Sequence, residues 1–181
     1  MQKHMQRPGL ALLLLTGLAA CATDTTPVAP PVSPIPASAG LPTDEYRTAA
    51  IEANSWFARP QAGQPGRAAR AIGELEFLAQ NLPNNPRYSG VNVRALNQLQ
   101  IARREARSAL AIPANANSND VVRGLRDASV ALAANDRAAA AAALPRATFT
   151  AGPDETIRRL GVPPRVPSAR PALAALGDNP R

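Results

Sequence analysis

Proline decides where this chain can be regular. It fixes φ and offers no N–H, so it is barred from helix interiors and central strands. Of 19 prolines in 181 residues, six fall within residues 22–42, ATDTTPVAPPVSPIPASAGLP. No helix or central strand is expected there. In an extended form of about 3.1 Å per residue, the segment reaches about 65 Å. We read it as a stalk. Its irregular proline spacing favours that reading over a proline-rich ligand for another domain. Further prolines at positions 60, 83, 86, 113 and 145 divide the chain beyond the stalk.

Between those prolines the apolar residues recur at three and four, the period of a helix face. Thr43 can cap a first helix whose opening turn carries Asp44 and Glu45, acids suited to the positive helix end. Its face reads Tyr46, Ala49, Ala50, Ala53, Trp56 and Phe57. Trp56 and Phe57 fit core packing better than an exposed contact patch. A second helix is expected over 67–82, with Ile72, Leu75, Leu78 and Leu82 on its stripe and Arg70 and Glu74 one turn apart. A third covers 92–111 through Leu96, Leu99, Ala102, Ala106 and Leu110. A fourth opens at Ser118 or Asn119 and runs through the alanines 138–143 to Pro145. There is no alternating strand pattern. The expected fold class is all-α, a small antiparallel four-helix bundle over residues 43–145. Residues 146–181 carry six more prolines and read as a tail with two possible short helices.

The front of the chain has a different character. Lys3 and Arg7 precede an apolar run from Leu10 to Ala20, followed by Cys21. A spanning helix needs about 20 apolar residues, so this run is too short for a permanent anchor. A positive start, an apolar stretch and small residues, in that order, describe an export signal. Leu18-Ala19-Ala20-Cys21 resembles the lipobox of bacterial lipoprotein precursors. The resemblance covers residues 1–21 alone. It implies cleavage after residue 20 and a lipid on the Cys21 thiol. Each buried methylene adds roughly 0.8 kcal/mol of membrane affinity, and two or three chains hold durably where one does not. Ala22 follows the cysteine, whereas an Asp there marks inner-membrane retention in well-studied members of that class. The resemblance therefore implies an envelope protein of the outer membrane facing the periplasm.

Beyond residue 20 the chain contains no His, Lys or Met, and Cys21 is its one cysteine. If residues 1–20 are cleaved as the resemblance implies, a Ser-His-Asp triad is impossible within the remaining chain, as are zinc sites built from His and Cys. No metal and no cofactor is expected beyond the covalent lipid, and no catalytic residue stands out. An enzyme would have to run on carboxylates alone. Glu74 and Glu76 point away from one another on a helix, and Glu45 and Glu52, seven apart, fit a solvated face. A carboxylate-dependent hydrolase has no local signature.

The net charge is +7, and the most concentrated basic group is Arg103, Arg104 and Arg107. Arg103 and Arg107 are like charges one turn apart, which calls for an offset. It can come from acids on neighbouring helices or from an anionic ligand such as lipopolysaccharide phosphate, acidic lipid or a cell-wall polymer. Arg123 is correctly spaced to pair with Asp127. Nucleic acid is not expected as a partner, because export removes the chain from it and few aromatics are present for stacking. The leading expectation is a non-enzymatic interaction or scaffold module. It would be tethered to membrane lipid through Cys21 and bound to an envelope protein. The lipobox generates a prediction: Cys21→Ser abolishes lipidation, and intact-mass spectrometry of cell-derived protein reads an unmodified chain. A lipid-bearing mass that survives the substitution refutes the resemblance.

Overall fold

The computed structural model describes residues 45–88 and 90–177, all within one unit of the chain, Ser38–Arg181. Leu18, Ala19, Ala20, Cys21, the proline-rich segment and the Thr43 cap lie outside the described residues. Among the described residues every regular element is helical. They are α1 (Glu45–Ala58), α2 (Pro65–Asn81), α3 (Val93–Leu110), α4 (Ser118–Ala133), α5 (Arg137–Ala142), α6 (Pro153–Gly161) and α7 (Ala169–Gly177). Two single 3₁₀ turns, Leu82–Asn84 and Pro86–Tyr88, join α2 to α3. The all-helical class expected from the periodicity is what the described residues adopt.

Helix α2 sits at the centre and packs against α1, α3, α4 and α6. Its residues 71–76 are buried without a break. A helix surrounded this way needs small side chains where neighbours cross it. Ala68, Ala69, Ala71 and Ala79 meet that need, and two glycines do so most closely. A Cβ on Gly66 would stand 3.2 Å from the Cβ of Leu132, and one on Gly73 would stand 3.3 Å from the Cβ of Leu125. Further along, the Gln80 amide donates to Asn119 Oδ1 at 2.9 Å. These contacts climb α2 while they descend α4.

Local chemistry sets the helix ends. Pro65 occupies the first turn of α2, where its missing N–H costs nothing. Asn92 caps α3 by accepting from the Arg94 N–H at 2.8 Å, and Asn117 caps α4 by accepting from the Asn119 N–H at 2.8 Å. Helix α3 ends at Ala111, which takes a left-handed φ of 54° so that the Ile112 N–H reaches Arg107 O at 2.8 Å. The single helix expected from Ser118 to Pro145 is instead two. Asn135 takes a φ of 57°, the Asp136 N–H closes onto Ala131 O at 2.8 Å, and the Asp136 carboxylate accepts from Ala139 N–H to start α5. An Asn-Asp pair offers a helix stop and a helix cap in adjacent residues, and local hydrogen bonding wins over the helix preference of the flanking alanines.

The core does not stop at residue 145. Phe149, Ile157, Leu160, Val166, Ala169, Ala172 and Leu173 are buried in the same cluster as Leu75, Leu99 and Leu125. Helix α7 packs against α1 and α3, and α6 packs against α2, α3 and α5. The described part of the proline-rich tail is therefore structural: its prolines begin or separate short helices whose apolar faces turn inward. Trp56 and Phe57 are core residues, as their place on the α1 stripe indicates.

Gly124 has a specific steric duty. A Cβ there would lie 2.8 Å from Ala143 O and 2.9 Å from Cε2 of the fully buried Phe149. Gly124→Ala is expected to destabilise the fold by about 1–3 kcal/mol through overpacking. Urea unfolding followed by circular dichroism measures this, and an unchanged midpoint counts against the fit described.

Candidate functional site

Two glutamates interrupt the apolar surface of α2. Glu74 is 1% exposed and Glu76 is 2% exposed. Removing a carboxylate from water costs several kcal/mol unless it is paired and hydrogen-bonded. Each recruits two arginines, on opposite flanks of the helix.

On one flank, Arg126 of α4 grips Glu74 through a fork, with Nε to Oε1 at 3.0 Å and Nη2 to Oε2 at 2.6 Å. Arg70, one turn before Glu74, adds Nε to Oε1 at 2.9 Å and reaches Glu52 of α1 at 2.7 Å. Arg126 also lies 3.5 Å from Glu45 and stacks its guanidinium 4.9 Å from the centre of the Phe77 ring. Tyr46 stands beside that ring, 5.2 Å from Phe77 and 5.1 Å from Tyr88. The hydrogen bonds that Arg126 donates to Glu74 hold the Arg126 pKa above the ordinary value, against the opposing effect of burial.

On the other flank, Arg107 of α3 is 4% exposed. An arginine has five N–H donors, and Arg107 makes five hydrogen bonds. Nε and Nη2 go to Glu76 at 3.1 and 2.6 Å, and Nη2 also reaches Ser118 Oγ at 3.0 Å. Nη1 donates to Pro113 O at 3.1 Å and Ala114 O at 2.8 Å. Arg103 adds Nε to Glu76 Oε1 at 2.8 Å and donates to Ser118 Oγ. Together Glu76, Arg103 and Arg107 fasten α2, α3, the 111–117 connection and the first turn of α4.

One acid on a neighbouring helix, Glu76, thus supplies the offset that Arg103 and Arg107 require. Arg104 is not brought together with them. It is exposed, beside Glu105, Ser108 and Arg165 on a shallow recess of about 500 Å³. Arg123 donates to Asp120, one turn before it, and not to Asp127. Glu45 and Glu52 keep part of their exposure but turn toward Arg126 and Arg70. On α6, hydrogen bonds from Arg158 and then Arg159 lower the Glu155 carboxyl to about 2.

The spacing of Arg103 and Arg107 called for an acid, but nothing in the sequence singled out Glu76, which lies 27 and 31 residues away. Among the described residues no cluster of three or more His, Cys, Asp or Glu could hold a metal ion, and no helix is long and apolar enough to cross a membrane. No family model matches the chain, and no curated protein or solved structure matches it.

Arg107→Met leaves Glu76 with Arg103 as its remaining arginine and two backbone carbonyls without their donor. The expected loss of stability is about 3–5 kcal/mol, the cost of breaking a buried pair. Urea unfolding reads it directly. A loss below about 1 kcal/mol would place the pair among surface bridges in energetic terms.

Proposed function

We propose that this chain is a lipid-anchored bacterial envelope protein whose helical body is a non-enzymatic interaction module. Cleavage after Ala20 and lipid on Cys21 attach it to the membrane, with outer-membrane placement facing the periplasm. Residues 22–42 separate the body from the lipid. The body is read as an antiparallel bundle of α1–α4 with α5–α7 packed onto it. The lipobox residues support the tether.

One observation carries the non-enzymatic reading: both deeply buried carboxylates are saturated by guanidinium groups. Acid–base catalysis needs a carboxyl that can exchange a proton with substrate. Glu74 meets Arg70 and Arg126, while Glu76 meets Arg103 and Arg107. Their chemistry is spent on holding helices together. The same pairing turns Arg103 and Arg107 away from an anionic polymer, which weakens the alternative of a ligand site on the α3 arginines. What the body offers outward is shape, with exposed apolar side chains at Ile51, Val93, Val130 and Val162.

In-cell crosslinking tests this reading, with mass spectrometry of material captured on the tagged chain. A recurrent protein partner crosslinked to the helical body is the expected result. Adducts confined to lipid or polysaccharide near Arg103–Arg107 would overturn it in favour of the anion-binding alternative.

A further inference from the structure

A second basic region differs from the paired interior. The start of α2, the end of α4, the first residue of α5 and Ile157 of α6 enclose an open recess of about 550 Å³. Small-molecule sites span about 300–1,000 Å³. Three arginines, Arg67, Arg70 and Arg137, line the recess, and no carboxylate does.

The three arginines are not equivalent. Arg70 is committed to Glu52 and Glu74, and Arg137 donates to Asp154 at 2.9 Å. Arg67 meets no carboxylate among the described residues. Its Nη1 donates to the neutral Gln64 Oε1 at 2.9 Å, and the Gln64 amide donates to Gln61. Two glutamine side chains thus position this guanidinium without neutralising it. The other arginine of α2, Arg70, is answered by glutamates, so the amides beside Arg67 leave one uncompensated positive charge at the recess. Opposite it, Leu132 and Ile157 supply apolar wall.

We propose that this recess binds a monocarboxylate with a short apolar stem. The head would pair with the Arg67 fork and the stem would rest on Leu132 and Ile157. One uncompensated charge matches a monoanion, and a guanidinium fork matches a carboxylate in two parallel hydrogen bonds. A doubly charged phosphate would need a second guanidinium released from its acid. The carboxylate has two sources of the same chemistry, a free short-chain acid or the C-terminus of a peptide. The inference concerns a site apart from the α3 arginines and does not depend on the tether or on a protein partner.

The test uses the full chain carrying Cys21→Ser, so that no lipid accompanies it, and follows backbone amide shifts by NMR. The probes are hexanoate, N-acetyl-alanyl-alanine, neutral hexanol and inorganic phosphate. At least one carboxylate is expected to shift amides around Gln64–Arg67 and Leu132, and which of the two binds more tightly names the source. Hexanol and phosphate are expected to bind roughly tenfold more weakly, the scale of one charge-assisted contact. Arg67→Gln should cost a similar factor, while Arg104→Gln on the far recess leaves affinity unchanged. Should Arg67→Gln fail to fold, Arg67→Lys keeps the charge without the fork and is expected to weaken binding. The proposal is overturned if neither carboxylate binds, if hexanol or phosphate binds as tightly, or if Arg104→Gln weakens binding as much as the Arg67 variant.

Discussion

The burial of Glu76 beneath Arg107 is the constraint on which the arrangement of α2, α3 and α4 depends. A carboxylate and a guanidinium withdrawn from water must find hydrogen-bond partners for every exposed lone pair and N–H. Arg107 does so with five donors spread over four residues, Glu76, Pro113, Ala114 and Ser118. Two of those acceptors are backbone carbonyls in the turn between α3 and α4. The turn is therefore fixed by a side chain, and the direction in which α4 leaves α3 is set with it. A hydrophobic contact is non-directional and would tolerate a range of positions. This fork tolerates few.

Glu74 repeats the device on the opposite flank with Arg126 and Arg70, and draws α1 in through Glu52 and Glu45. The two networks use four glutamates and four arginines. The two networks together are thus charge-balanced although the whole chain is basic. Between the networks, the interior is built from alanine, glycine and leucine. Small side chains let α2 and α4 approach until Gly66 and Gly73 lie under Leu132 and Leu125. Close approach compensates for a modest supply of large apolar residues, because dispersion contacts depend on distance as well as area. The short helices α6 and α7 close the remaining surface.

This economy bears on function. Beyond residue 20 the chain has no His or Lys and draws its charged chemistry from arginine and carboxylates. Most of the arginines on α2, α3 and α4 that face inward are engaged with acids. Arg67 stands apart because its neighbours are glutamines, and the recess beside it combines a positioned cation with an apolar wall.

Helix content and the faces of α1, α2 and α3 were legible in the spacing of residues such as Ala53, Leu75 and Leu99, since a 3.6-residue period is a local property. The capacity of Glu74 and Glu76 to face opposite ways was legible for the same reason. The break at Asn135 was not, because six alanines outweigh one Asn-Asp pair in any local sum, and the stop is made by hydrogen bonds whose geometry the pattern does not express. Phe149 gave no periodic signal, lying in a turn and packing against Gly124 from a distance of 25 residues in sequence. By itself the sequence determined that the described residues are helical, where prolines separate their helices and that no His or Lys follows residue 20. The tertiary structure alone decided that the two buried glutamates take arginines from α3 and α4, and that the tail completes the core. Those choices rest on pairings between distant residues, whose energies depend on burial and geometry that no local window contains.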